Sequence, residues 1–132
     1  MKLPRLPLLF GLLTVFCFAS SVFAVDLKQV QKELAEGKAI LIDVREQEEW
    51  DDAHLAQAIL VPGSEIASGA HNEKVQQKLK TEPEQKIYCH CKSGGRAKLA
   101  ARKLGKLGIE VIPITDSYLA LVQAGFKQAA PK

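Results

Sequence analysis

Residues 86 to 108, KIYCHCKSGGRAKLAARKLGKLG, pass from strand to loop to helix in one sweep. Lys86 to His90 is a short apolar run that reads as a strand, and Lys92 to Gly95 is a tight, glycine-bearing loop. Arg96 to Leu107 then sets Leu99, Lys103, Leu104 and Leu107 at helical intervals, with no glycine before Gly105. A cysteine, Cys91, sits where strand becomes loop.

The same alternation extends in both directions. Upstream, Leu27, Val30 and Leu34 repeat at helical spacing and Gly37 closes that segment. Ala39 to Val44, AILIDV, reads as a buried strand, Glu46 to Trp50 as a helical turn, and Ala58 to Val61 as a strand stopped by Pro62-Gly63. Ser64 to Gln85 is polar, with a helical stretch around Lys74 to Leu79. Downstream, Val111 to Ile114 is a fourth strand, followed by a helix over Tyr118 to Ala124. Strands alternating with helices predict an α/β domain: a small, central, mostly parallel sheet flanked by helices on both faces. Such folds put binding loops at the carboxyl ends of the strands. Asp43-Val44-Arg45 and Cys91 to Arg96 occupy two of those ends.

The full chain has 132 residues, 18 Lys and Arg against 15 Asp and Glu, and 3 Cys. That suits one globular domain and excludes both a disordered chain and a disulfide scaffold. Residues 1 to 24 differ from the rest. Lys2 and Arg5 precede an uncharged stretch to Val25, densest in apolar residues from Leu8 to Phe18 and ending in small residues at Ala24. This is the layout of a secretory signal peptide, with an uncleaved membrane anchor as the alternative. The expected organisation is a signal peptide over 1–24 and one domain over 25–132, located in the periplasm or secreted, with no stable membrane association after cleavage. Cleavage removes Lys2, Arg5 and Cys17, leaving 108 residues at net charge +1. Such a balance gives no reason to expect nucleic acid as a partner.

Cys91 stands at the mouth of a loop whose successive amides and following helix N-terminus form an anion cradle. Lys92 and Arg96 add positive charge. A thiol with an ordinary pKa of about 8.5 should be drawn down there and become a thiolate nucleophile toward an anionic substrate. Four residues separate Cys91 from Arg96. Cysteine phosphatases and arsenate reductases place five there to enclose a tetrahedral oxyanion, so the smaller loop suits a single added sulfur, a persulfide.

LIDVREQEEWDDAHLAQAILVP (41–62) and IYCHCKSGGRAKLAARKLGKLGIEVIPI (87–114) resemble the two signature regions of single-domain rhodaneses, which are sulfurtransferases. The first region of that family reads Asp-x-Arg, then Glu and a Gly-His-Ile step; Asp43, Arg45, Glu49 and Ala53-His54-Leu55 stand in those places. The second reads Cys-x-Ser-Gly-x-Arg-Ser, matched from Cys91 to Arg96 with Ala97 for the last Ser. The resemblance implies a rhodanese-like fold, Cys91 as the persulfide-forming catalytic residue, and Lys92, Ser93, Gly94, Gly95 and Arg96 as the substrate-binding loop. It further implies that Asp43 and Arg45 are structural support, and that no cofactor is required. Two departures stand out: Asp116-Ser117 and Leu121 replace a usual Gly-Gly pair and a Trp.

The expected partners are a small anionic sulfur donor such as thiosulfate and a thiophilic acceptor such as cyanide or a protein. Two other readings stay open: a persulfide carrier serving a partner protein, and a Cys89-Cys91 thiol-disulfide oxidoreductase. In an extended strand the two Cα atoms would lie ~6.6 Å apart, near the upper limit for a disulfide. Cys89 itself reads as core packing. His90 alternates in direction with its two cysteine neighbours, which argues against a metal site. His54 reads as a structural hydrogen-bonding residue and His71 as solvated. Lys98, Arg102, Lys103 and Lys106 form a basic helix face that either is simply solvated or meets an acidic partner.

Overall fold

The computed structural model describes residues 24–69 and 73–131. The leader read at residues 1–24 falls, save for Ala24, outside them, as does His71. Among the described residues no helix is long and apolar enough to cross a membrane.

Four parallel strands form the sheet: β1 (Ala39–Asp43), β2 (Ala58–Leu60), β3 (Lys86–His90) and β4 (Ile112–Pro113), in the order β2-β1-β3-β4. The helices are α1 (Leu27–Ala35), α2 (Gln47–Asp52), α3 (Gly63–Ser68), α4 (Glu73–Lys78), α5 (Gly95–Gly105) and α6 (Tyr118–Gln123). The expected α/β architecture is therefore present, with every strand pair parallel. β3 coincides with the strand read at 86–90, whereas β4 is trimmed to two residues on the sheet edge, where Pro113 removes no internal ladder bond.

Alternation along the strands builds two cores. Ile42, Ile87, Cys89 and Cys91 face one side and pack with Ile66, Val75, Ala97, Ala100 and Leu104 beneath α3, α4 and α5. Ala39, Leu41 and Tyr88 face the other and pack with Val30, Leu55, Ile114, Leu121 and Phe126 beneath α1 and α6. With both faces covered, the strands read as continuous apolar runs.

α1 begins where the Asp26 carboxylate accepts from the Lys28 and Gln29 amides. Glu33 turns inward from this helix to accept from Lys86 Nζ at 2.7 Å, Gln29 Nε2 at 3.0 Å and Tyr88 Oη at 2.7 Å. Those three donors, Lys86 foremost, hold its carboxyl down at about 2. One helix went unread in the sequence. α3 follows Pro62-Gly63, which looked only like a strand stop; Glu46 supplies its missing cap from 18 residues upstream, accepting from Ser64 N at 3.1 Å and Ser64 Oγ at 2.7 Å. A cap that arrives from a distant element leaves no local sequence signature.

Candidate active site

β3 ends at His90, and the chain turns from Cys91 through Gly94 into α5. Gly94 adopts φ +94° as the residue before the helix. A side chain there would stand 2.9 Å from Thr115 Cα and closer still to the Thr115 carbonyl oxygen, so the loop lies against the backbone that follows β4. Gly95 has open space around it and no positive φ. Of the two glycines, Gly94 alone is required by geometry. The Lys92 carbonyl accepts from Tyr118 N at 2.9 Å, which ties the loop's other end to the start of α6.

Inside this turn, Cys91 is 1% exposed and its Sγ accepts from the Gly94 amide at 3.0 Å. The first turn of α5, whose amides have no acceptors within the helix, starts beside it. The Cys91 sulfur and the start of α5 thus stand side by side in the turn. Lys92 and Ser93 are exposed at the tip.

Arg96 behaves differently from its sequence reading as a free positive charge for the donor. Its guanidinium is held by Glu49 in a two-pronged ion pair, Nη1 to Oε2 at 2.6 Å and Nη2 to Oε1 at 2.8 Å. Glu49 Oε2 also accepts from Glu46 N at 3.0 Å, closing the capping box of α2. Arg96, its main hydrogen-bond donor, holds the Glu49 carboxyl at about 2. Arg96 therefore anchors the Cys91 loop to α2, with its charge largely offset. Lys92 is left as the loop cation without an ion-pair partner among the described residues. Glu49 had been matched to the family pattern without a role; only the approach of two segments 47 residues apart reveals one.

Asp43 and Arg45 support the site from the opposite face of the sheet. Both are buried, with Arg45 Nε 3.0 Å from each Asp43 oxygen and Nη2 2.7 Å from Oδ2. Arg45 Nη2 also donates to the Ala53 carbonyl at 2.8 Å, and its guanidinium lies 4.4 Å from the centre of the Tyr118 ring. His90, fully buried, places Nε2 3.6 Å from Asp43 Oδ2. Burial pushes its pKa below the usual value against the pull of Asp43. His54 is structural, as read: Nδ1 meets the Trp50 carbonyl at 2.8 Å and the two rings stack 3.8 Å apart.

Cys89 packs in the core, and its thiol donates to the Ala97 carbonyl at 3.3 Å. Burial pushes it up to about 12. Both cysteines are free thiols, and a thiol so hard to ionise is a poor partner for a redox couple with Cys91. The departures from the family pattern also find their roles. Ser117 caps α6 by accepting from Ala120 N at 3.1 Å, and Leu121 fills the second core. Among the described residues no cluster of three or more His, Cys, Asp or Glu is arranged to hold a metal ion.

Gly94→Ala should lose about 1–3 kcal/mol to backbone strain alone and more to the clash with Thr115, measured by urea denaturation, while Gly95→Ala stays near wild type. Equal behaviour of the two would show that the Gly94 contact is dispensable. Glu49→Gln should cost about 0.5–1 kcal/mol at neutral pH, since the pair is partly exposed. Because the folded Glu49 pKa lies below its ordinary value, that contribution is complete above about pH 4.5 and fades as pH falls toward 2. Denaturation curves for variant and wild type should converge over that window.

Residues 26–124 match the family model of the rhodanese-like domain. YrkF of Bacillus subtilis (strain 168), named as a candidate sulfur carrier protein, is 32% identical over 100 residues, covering 72% of this chain and 50% of that one. The chain therefore spans about half the length of that relative. Among solved structures, the rhodanese-like domain of the Alr3790 protein from Anabaena sp. superposes with a TM-score of 0.64 at 19% identity, covering 80% of this chain and 77% of that one. The human single-domain sulfurtransferase TSTD1 gives 0.63 at 24% identity, covering 76% and 95%. With a family match over residues 26–124, most of its length, the chain belongs to the rhodanese-like domain family.

Proposed function

We propose that the domain is a sulfurtransferase that moves sulfane sulfur through a persulfide on Cys91. The observation that carries this reading is the turn itself: Cys91 Sγ receives the Gly94 amide at 3.0 Å beside the first turn of α5, and the short spacing from Cys91 to Arg96 supports a single added sulfur. With thiosulfate as donor, the Cys91 thiolate attacks the outer sulfur. A Cys91 Sγ–S bond forms, the S–S bond of thiosulfate breaks, and sulfite leaves with the electron pair. An acceptor such as cyanide then attacks the outer sulfur of the persulfide, leaving as thiocyanate and restoring the thiolate. Lys92 would draw in the anionic donor, Arg96 would keep the loop closed against Glu49, and backbone amides would receive the negative charge of the persulfide.

A second reading, persulfide carriage to a partner protein, is favoured by the name of the Bacillus subtilis relative and by the near-complete burial of Cys91. Incubation with thiosulfate, followed by intact mass measurement, should show one added sulfur atom on wild type and Cys89→Ser, and none on Cys91→Ser. Thiocyanate production with cyanide should follow the same order. A Cys91→Ser chain that still turns over would sink the assignment, and loading without multiple turnover would select the carrier.

The proposal includes an exported location, supported by the leader-like residues 1 to 24. Protein recovered from a periplasmic fraction should begin at Val25 by intact mass. Recovery of the uncut chain in the membrane fraction would select the anchor instead.

A further inference from the structure

The chemistry above leaves the outer face of α5 unused. No Asp or Glu occurs between Gln85 and Glu110. Lys86 and Arg96 are engaged by Glu33 and Glu49, but no ion pair among the described residues engages Lys98, Arg102, Lys103 or Lys106. At 3.6 residues per turn, Lys98, Leu99, Arg102 and Lys106 fall on the side opposite the buried Ala97, Ala100 and Leu104. Leu99 is 47% exposed among these cations, and Leu107 is 46% exposed just past the helix. The acids that balance this charge lie elsewhere, with Glu48, Asp51 and Asp52 on α2.

Isolated exposed leucines and charged helix faces are commonplace on soluble domains. This face is distinguished by its continuity with the reaction centre. It begins at the exposed Lys92 and Ser93 over the buried Cys91 and runs the length of α5. An occupant that reaches Lys92 and Ser93 at the head of this face lies against the loop that holds Cys91. A lipid surface there would block sulfur transfer, whereas a protein bearing its own acceptor thiol would complete it.

Resting on the persulfide reading, we propose that the Lys92 to Lys106 face of α5 is the docking surface for an acidic protein that takes sulfur from Cys91 on a cysteine of its own. The acceptor thiolate attacks the outer sulfur of the Cys91 persulfide, and a new S–S bond forms on the acceptor. The Cys91 Sγ–S bond breaks, its electron pair returning to Cys91 as thiolate, so no oxidant or reductant is consumed. Cations along the approach hold an acidic partner in register and speed its encounter.

The test loads Cys91 with thiosulfate, or with sodium tetrasulfide, and follows sulfur transfer to two short peptides, each with a single cysteine, one set among glutamates and the other among lysines. The glutamate peptide should react about tenfold faster or more at low salt. High salt should erase that advantage, as should the triple variant Lys98→Glu, Arg102→Glu, Lys106→Glu. The variant should melt like wild type, load one sulfur on Cys91 and pass it to dithiothreitol at the wild-type rate, which separates docking from folding and chemistry. Equal rates for the two peptides, or an advantage that survives in the variant, would overturn the docking surface. So would binding to phosphatidylglycerol vesicles, or self-association, lost in the variant while the peptides react alike. A chain that loads no sulfur from either donor overturns the sulfur-transfer reading and this one with it. A chain that loads but does not discriminate overturns this one alone.

Discussion

Asp43 carries a carboxylate with no exposure to water, and Arg45 two residues later meets it with three close contacts. Removing either partner would strand a buried charge, a defect that typically costs about 3–5 kcal/mol. The pair also reaches the residue that closes α2 through the Ala53 carbonyl, the start of α6 through the Tyr118 ring, and the end of β3 beside His90. β1, α2, β3 and α6 therefore converge on one ion pair at the carboxyl edge of the sheet. The Cys91 loop rests on that junction, because Tyr118 also donates its amide to the Lys92 carbonyl.

The two faces of the sheet divide the work. On the face of Tyr88 and His90 the polar groups bind the scaffold together. On the other face, strand alternation sends Cys89 into the core and brings Cys91 to the edge, where α5 begins. Two residues of the same type, two positions apart, thus make different contacts. One donates to a buried carbonyl and resists ionisation, while the other accepts the Gly94 amide in the turn before α5. Arg96 and Glu49 then fasten the loop from the α2 side, while Lys92 stays exposed at its tip.

Much of this was legible in the residues. The apolar runs AILID and KIYCH, each followed by a polar turn, mark β1 and β3 because buried parallel strands need apolar side chains on both faces. Cys91, the glycines after it and the helical spacing beyond them mark the loop, since only a short glycine-bearing turn can carry a strand into a helix so tightly. Asp43 and Arg45 read as support rather than catalysis, and their burial agrees with that reading. Of the residues that depart from the family pattern, Ser117 is a helix cap and Leu121 a core residue.

The sequence by itself determined the order of strands and helices and the short loop that follows Cys91, because these depend on side-chain period and on contacts between near neighbours. Tertiary structure alone decided that Gly94 rather than Gly95 is required by geometry, that Arg96 is tied to Glu49, and that Glu46 caps α3. Each of these rests on segments brought together from far along the chain, and long-range proximity leaves no period in a sequence to read.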